Sequence, residues 1–250
     1  MTSRITAPAD TGQGIRIVLV ETTHPGNIGA AARAMKTMCL DQLYLVNPHH
    51  YPSAEATARA SGADDVLAQA TLCSSLQEAI AGCGLVMGTS ARLRSLSWSQ
   101  VDPRQCAEQA MRACGTMPVA LVFGREHSGL SNEEMMHCHA LVNIPSNPEY
   151  SSLNLGSAVQ VLCYELMMAR TGGGAESDGI SDDAVAPVEE VERLYAHLET
   201  VMIETEFLDP ANPRHLMRRL RRLFNRVRLE RNEVNILRGI LTSFQDKLRR

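Results

Sequence analysis

Apolar residues in the first two-thirds of this chain follow two rhythms. Ile15-Arg16-Ile17-Val18-Leu19-Val20 is a β-branched run bounded by Gly14 and the turn-rich stretch 22–26, and an Ala-rich segment of helical spacing follows it. This predicts strand, loop and helix. The pattern recurs. A run over 43–46 ends at Asn47-Pro48, helical spacing covers 53–60, Leu85-Val86-Met87 leads into Gly88-Thr89-Ser90, and 101–114 predicts a helix. Val119-Ala120-Leu121-Val122-Phe123 then runs into Gly124, a strand over 141–144 runs into Pro145, and 154–170 is strongly helical. Strands alternating with helices imply an α/β fold with a parallel sheet covered on both faces. Ligands of such sheets sit at the carboxyl ends of the strands.

Residues 171–187, with Gly172-Gly173-Gly174 and scattered Ser and Asp, lack the hydrophobes to pack and read as a flexible linker. A domain over 1–170 is therefore expected to be followed by a small helical extension over 188–250. In that extension Val188, Val191, Leu194, Leu198 and Val201 recur at helical spacing, as do Leu216, Leu220, Leu223 and Val227, then Val234, Leu237, Leu241 and Phe244. Asn212-Pro213 and Asn232-Glu233 are the expected helix starts.

The composition, 44% hydrophobic and 21% charged, is that of an ordinary globular protein. No apolar run reaches the roughly 20 residues that cross a bilayer, and the polar stretch 1–14 carries no apolar signal core, so a cytoplasmic protein is expected. The net charge of −4 is unevenly spread: residues 214–250 hold twelve Lys and Arg against three acids, leaving twelve against 25 in the remainder. A basic tail on an acidic body suits a polyanionic partner. Seven cysteines without a CxxC pair indicate neither a disulfide framework nor a zinc ribbon. His137-Cys138-His139 has neighbours that point apart, so no metal site is expected. Neither GxGxxG nor GxxxxGK[ST] occurs, and aromatics at 4% argue against a base-stacking platform.

Three segments carry candidate chemistry. Pro25-Gly26-Asn27-Ile28-Gly29 opens the first helix, where free N–H groups and small side chains allow close approach of a ligand. Arg33 follows about a turn and a half later; the plain alternative is an Ala-rich packing helix with a solvated arginine. Phe123-Gly124 ends a buried strand and turns through Arg125-Glu126-His127-Ser128 to Gly129-Leu130, with Glu126 placed to order the loop or pair with an arginine. His127-Ser128 lacks a GxSxG elbow and makes no hydrolase. Asn143-Ile144-Pro145 ends another strand, and Ser151-Ser152-Leu153-Asn154-Leu155 opens the long helix. Ser151 or Ser152 is an N-cap in the plain reading; in the functional one, Asn154 and the exposed N–H groups face a ligand.

In this order the segments 27–33, 123–130 and 144–158 resemble the motifs of the SPOUT class of RNA ribose 2′-O-methyltransferases. Within that class the chain is most similar to bacterial tRNA enzymes that methylate nucleotide 32, a cytidine or uridine of the anticodon loop, and its helical tail resembles their extension. The resemblance implies a SPOUT parallel sheet with a deep C-terminal trefoil knot, a rare exception to unknotted topology. It also implies S-adenosyl-L-methionine bound in the knot loops, a homodimer whose active site draws on both chains, and no metal. Matching positions give Gly124, Glu126, Ile144, Pro145, Ser152, Leu153 and Asn154 as cofactor contacts, with Thr89, Ser90 and Ala91 as a companion loop. Arg33, Asn27 and Ser152 then serve the reaction, in which the ribose 2′-oxygen takes the methyl group. A guanidinium, with a pKa above about 12, is a poor base. Arg33 is therefore expected chiefly to bind a substrate phosphate and to stabilise charge developing on the oxygen. In the tail, Arg214, Arg218, Arg219, Arg221 and Arg222 are the candidate RNA contacts, against the alternative of a solvated face on a dimer-packing helix. Three other readings stay open: a ribosomal RNA 2′-O-methyltransferase, a non-catalytic RNA-binding module that kept the knot, and an unrelated nucleotide-binding α/β protein.

Overall fold

The apolar run Ile15–Val20 forms β1, the first strand of the sheet. The structure is a computed structural model that describes residues 14–91, 99–172 and 185–248. After β1 come α1 (Pro25–Thr37), β2 (Gln42–Val46), α2 (Ala54–Ala60), α3 (Asp64–Ala68), β3 (Thr71–Cys73), α4 (Leu76–Ala79) and β4 (Leu85–Thr89). Then follow β5 (Gln100–Val101), α5 (Pro103–Cys114), β6 (Val119–Phe123), α6 (Asn132–Met135), β7 (Ala140–Val142) and α7 (Leu155–Gly172). The extension holds α8 (Val188–Glu204), α9 (Leu216–Val227) and α10 (Arg231–Leu248).

All strand pairs are parallel, in the order β3-β2-β1-β6-β4-β7-β5. Two late strands are insertions: β6 lies between β1 and β4, and β7 between β4 and β5. Alternation divides each central strand between two cores. Ile17, Leu19, Leu121 and Phe123 pack with α1, α5 and α7 on one face. Val18, Val20, Ala120 and Val122 pack with Leu76, Ile80, Leu130 and Cys138 on the other. A continuous apolar run such as Val119–Phe123, buried at every position, is what a strand covered on both faces requires. On the first face α1 approaches α2 so closely that a Cβ on Gly29 would stand 2.0 Å from the Ala56 carbonyl oxygen.

Several boundaries differ from those expected. The helix expected over 101–114 begins at Pro103, because Val101 pairs with Val142 in β5 and Asp102 closes a capping box with Gln105. The strand expected over 141–144 is Ala140–Val142. Helices α9 and α10 start at Leu216 and Arg231 rather than at Asn212 and Asn232. Most of the expected linker lies outside the described residues, and its ends are structured. Thr171 and Gly172 still belong to α7, Val185 bridges to Glu230, and the Ala186 N–H donates to Leu229 at 2.8 Å.

The extension has its own small core, with Leu194, Val201, Leu229, Val234 and Leu241 buried together. Polar contacts attach it to the body. Asn225 Nδ2 donates to the carbonyls of Met136 and Cys138 at 3.0 and 3.3 Å, while its Oδ1 accepts from Tyr195 Oη at 2.6 Å. Glu192 lies against Arg221 and His137. Burial would raise the Glu192 pKa, but hydrogen bonds from His137 and Arg221 hold it at about 2.

Candidate active site

A cavity of about 230 Å³ opens at the carboxyl ends of β4, β6 and β7. Thr89, Ser90 and Ala91 come from the end of β4, 123–130 from β6 and its loop, and Val142 and Ile144 from β7. Ser151, Ser152, Leu153, Leu155 and Ala158 close it from the approach to α7. All three segments singled out in the sequence meet around this opening, although only two of them line it.

The loop after β6 folds back on itself. Arg125 N–H and Gly129 N–H exchange bonds with each other's carbonyls at 3.3 and 2.9 Å, and Gly129 takes a φ of 68°. A Cβ on Gly124 would stand 2.2 Å from the Gly129 carbonyl carbon and 2.3 Å from the Leu130 nitrogen, so only glycine fits beneath the turn. Arg125 pins the outer side, with two bonds to Glu134 at 2.9 and 3.0 Å and one to Glu21 at 2.8 Å. Those hydrogen bonds, Glu134 first, push its pKa up, so the clamp stays charged. Glu134 itself completes a capping box with Ser131 at the start of α6.

Glu126 points the other way, toward the start of α1. Its carboxylate accepts from Thr23 N–H at 3.2 Å, Thr23 Oγ1 at 2.9 Å, His24 N–H at 3.1 Å and Asn27 Nδ2 at 2.9 Å. Helix α1 has no side-chain cap of its own, so Glu126 supplies the negative charge at its N-terminus. Burial alone would raise the Glu126 pKa, but the bonds from Asn27 and the backbone bring it down to about 2. Asn27 is buried, and its Oδ1 accepts from Asn154 Nδ2 at 3.0 Å. Asn154 Oδ1 in turn accepts from the Gly156 N–H at 2.9 Å. One chain of amides thus ties the N-terminus of α7 to α1 and to the loop after β6.

Of the residues proposed from the sequence, Thr89, Ser90, Ala91, Gly124, Glu126, Ile144, Ser152 and Leu153 line the cavity. Pro145, Asn154, Asn27 and Arg33 do not. Asn154 and Asn27 stand behind the wall as its support. Arg33 is exposed on α1, about 9 Å along the helix from Asn27 at about 1.5 Å per residue. Neither Ser151 nor Ser152 caps α7: the helix begins at Leu155 and the capping bond is that of Asn154. In the tail, Arg214, Arg218 and Arg219 are exposed and Arg222 half-exposed. Arg221 departs from the expected basic face, because its guanidinium lies 4.5 Å from the Tyr195 ring centre and pairs with Glu192. The sequence reading missed Arg125 and Thr23 as site-forming residues. The carboxylate at 134 and the hydroxyl at 23 were the available signals, and neither spacing points to its partner.

A family model described as SpoU rRNA Methylase matches residues 14–164, which contain every element of this site. The chain belongs to the SpoU methylase family. A second model, the C-terminal domain of tRNA methyltransferase TrmJ, matches residues 189–250. Among SpoU methylase relatives, a protein of Photorhabdus laumondii named tRNA (cytidine/uridine-2′-O-)-methyltransferase TrmJ is 51% identical, covering 93% of this chain and 97% of that one. A protein of the same name from Sodalis glossinidius is 52% identical over 92% of this chain and 91% of that one. The crystal structure of TrmJ from Z. mobilis is 34% identical, with a TM-score of 0.80 over 92% of this chain and 98% of that one.

Proposed function

We propose that this chain transfers a methyl group from S-adenosyl-L-methionine to the ribose 2′-hydroxyl of cytidine or uridine 32 in the tRNA anticodon loop. The observation that carries the reading is the cavity at the strand ends, walled by the two later motifs and braced by the chain from Glu126 through Asn27 to Asn154. The names of relatives more than half identical over nearly the whole chain favour tRNA over ribosomal RNA.

The lining suits the proposed cofactor. Leu130, Val142, Ile144, Leu155 and Ala158 offer an apolar wall for an adenine ring, and Thr89, Ser90 and Ser152 offer hydroxyls beside it. The missing side chain of Gly124 leaves backbone open to close approach, and the Glu126 carboxylate favours a cationic ligand. When bound, S-adenosyl-L-methionine supplies an electrophilic methyl group on a sulfonium. The chain's own contribution is position and charge. Glu126, Asn27 and Asn154 hold the walls in register, Ser152 shapes the donor side, and Arg33 binds a substrate phosphate and steadies charge on the attacking oxygen.

Because Arg33 is exposed and absent from its own cavity wall, it serves the pocket of a second copy in a homodimer. Helix α7 supports that assembly: it is apolar almost all round, yet Tyr164 and Met168 are 48% and 45% exposed. A helix of that kind calls for cover on both faces. The insertions of β6 and β7 between earlier strands support threading of the C-terminal segment into a trefoil knot. The chain through Gly172 then forms the methyltransferase domain and 185–250 the RNA-facing extension, with Arg214, Arg218, Arg219 and Arg222 toward the RNA. No helix among the described residues is long and apolar enough to cross a membrane, and none of their His, Cys, Asp or Glu groups could hold a metal ion. A tRNA substrate places the enzyme in the cytoplasm.

Labelled methyl transfer into unmodified tRNA transcripts and ribosomal RNA fragments tests the reading. Label in tRNA alone is expected; label in ribosomal RNA alone would move the address, and label in neither would favour a binding module.

A further inference from the structure

A second cavity, of about 530 Å³, opens at the seam between α9 and the edge of the sheet. Helix α9 contributes Arg219, Arg222 and Arg226 with Leu220 among them, and the body contributes Ser99 and His139. It lies at the other end of the strands from the first cavity, since Ser99 and His139 precede β5 and β7 whereas Ile144 follows β7. Among the described residues, no Asp or Glu lines it.

The guanidiniums that line this seam can only donate hydrogen bonds. Nδ1 of His139 lies 3.0 Å from the Val86 nitrogen and 3.3 Å from the Val86 carbonyl oxygen, contacts that fix the ring against β4. Burial, and then Arg228, bring the His139 pKa down to about 4, so at neutral pH the ring is uncharged. Arg228, the left-handed residue that ends α9, has its Nε sealed from water with no hydrogen-bond partner among the described residues. Burial and then Arg112 of α5 both disfavour its charge. The guanidiniums of Arg219, Arg222 and Arg226 thus share one cavity, with Arg228 behind it, and among the described residues its wall carries no carboxylate. Charge of one sign gathered around one cavity is unfavourable, and a bound anion offsets that repulsion. Arginine forks match phosphate oxygens in pairs. The apolar Leu220 between them suits a phosphate that arrives with sugar or base attached.

We propose that the seam between α9 and the sheet edge is a phosphate site, built jointly by body and extension, that holds a backbone phosphate of the RNA whose ribose is modified at the first cavity. The identity of that RNA rests on the methyltransferase reading; the phosphate chemistry of the seam does not.

Binding of an unmodified tRNA transcript to the full chain, measured across a salt series, tests the proposal on Arg219→Gln/Arg226→Gln and on Lys247→Gln, a change in the last turn of α10 outside the cavity. Every phosphate that is no longer neutralised flattens the plot of log affinity against log salt by about 0.7 to 0.9. The double variant is expected to neutralise between one and two fewer phosphates on that scale and to bind about tenfold or more weakly, as for hydrogen bonds to charged groups. Lys247→Gln is expected to keep the wild-type slope. Relief of like-charge crowding leaves the double variant melting at or above the wild-type temperature, which separates a weakened phosphate grip from a damaged fold. A wild-type slope and affinity in the double variant, while wild-type enzyme still methylates tRNA, overturns the seam site and leaves the methyltransferase reading standing. If inorganic phosphate raises the melting temperature of the wild type but not of the double variant, and the tRNA slopes agree, the site belongs to a small phosphate compound and the RNA assignment is overturned.

Discussion

Asn154 donates from Nδ2 to Oδ1 of Asn27 at 3.0 Å, joining residues 127 positions apart. A carboxylate only accepts, so Glu126 turns the Asn27 Nδ2 toward itself and the Oδ1 toward Asn154. The Gly156 N–H fixes the second amide in the same sense. Donor and acceptor therefore alternate without a conflict from the N-terminus of α7 to the carboxylate of Glu126.

Asn27→Asp reverses one link. It sets a second carboxylate against Glu126, and one of the two must then take up a proton. Removing the donor is expected to cost about 1–3 kcal/mol at pH 8, with a smaller effect at pH 5, where protonation relieves the pair. Melting temperatures of variant and wild type at the two pH values check this; an equal drop at both would show that the polarity of the amide is not what matters.

Glu126→Gln probes the same chain by titration. The folded pKa of about 2 lies below the ordinary 4.5, so the ionised group stabilises the fold above pH 4.5, and that contribution is lost as pH falls toward 2. Partial exposure screens the gain, leaving on the order of 1 kcal/mol, or about 2–4 °C in Tm. The variant is expected to melt lower than the wild type at pH 7, with the gap narrowing below pH 4.5 and closing toward pH 2. A gap that stays constant would assign the effect to shape rather than to charge.

Gly124→Ala is expected to be the most damaging single methyl group near the cavity, because its Cβ meets backbone atoms at 2.2 and 2.3 Å that cannot move without opening the turn. S-adenosyl-L-methionine is expected to raise the melting temperature of the wild type, and the loss of that rise in the variant reads this out. Gly239→Ala on α10, where nothing stands within 4 Å, is the matched control and is expected to leave that rise intact.

How much of this was legible in the sequence depended on where the determining interaction lies. Val119–Phe123 could be read as a central strand because burial on both faces writes itself as an unbroken apolar run. Strand β5 could not: Gln100–Val101 is too short to show a period and exists through its pairing with Leu141 and Val142. Strand β3 escaped for a related reason, since Leu72 on this outer strand is 55% exposed. The motif segments were visible as glycines and polar residues at strand ends, yet nothing in their spacing shows that Glu126 reaches Asn27 or that Asn154, not Ser152, caps α7. Arg221 was misread because a run of arginines looks uniform in sequence, whereas Glu192 and Tyr195 single out one of them from another helix.

Arg33 separates electrostatic help from proton abstraction. If its guanidinium mainly binds phosphate and stabilises charge on the oxygen, Arg33→Lys keeps a measurable part of the methylation rate while Arg33→Ala slows it on the order of a hundredfold or more. Lys as inactive as Ala, with tRNA binding equal in both, would require a role that charge alone does not fill.

The central claim is tested most directly by the position of the labelled methyl group. A tRNA transcript with a ribose at position 32 is expected to take one labelled methyl per molecule, and the same transcript with a 2′-deoxynucleotide at that single position is expected to take none. Equal labelling of the two transcripts would contradict the assignment, because the oxygen said to receive the methyl group is absent from the second.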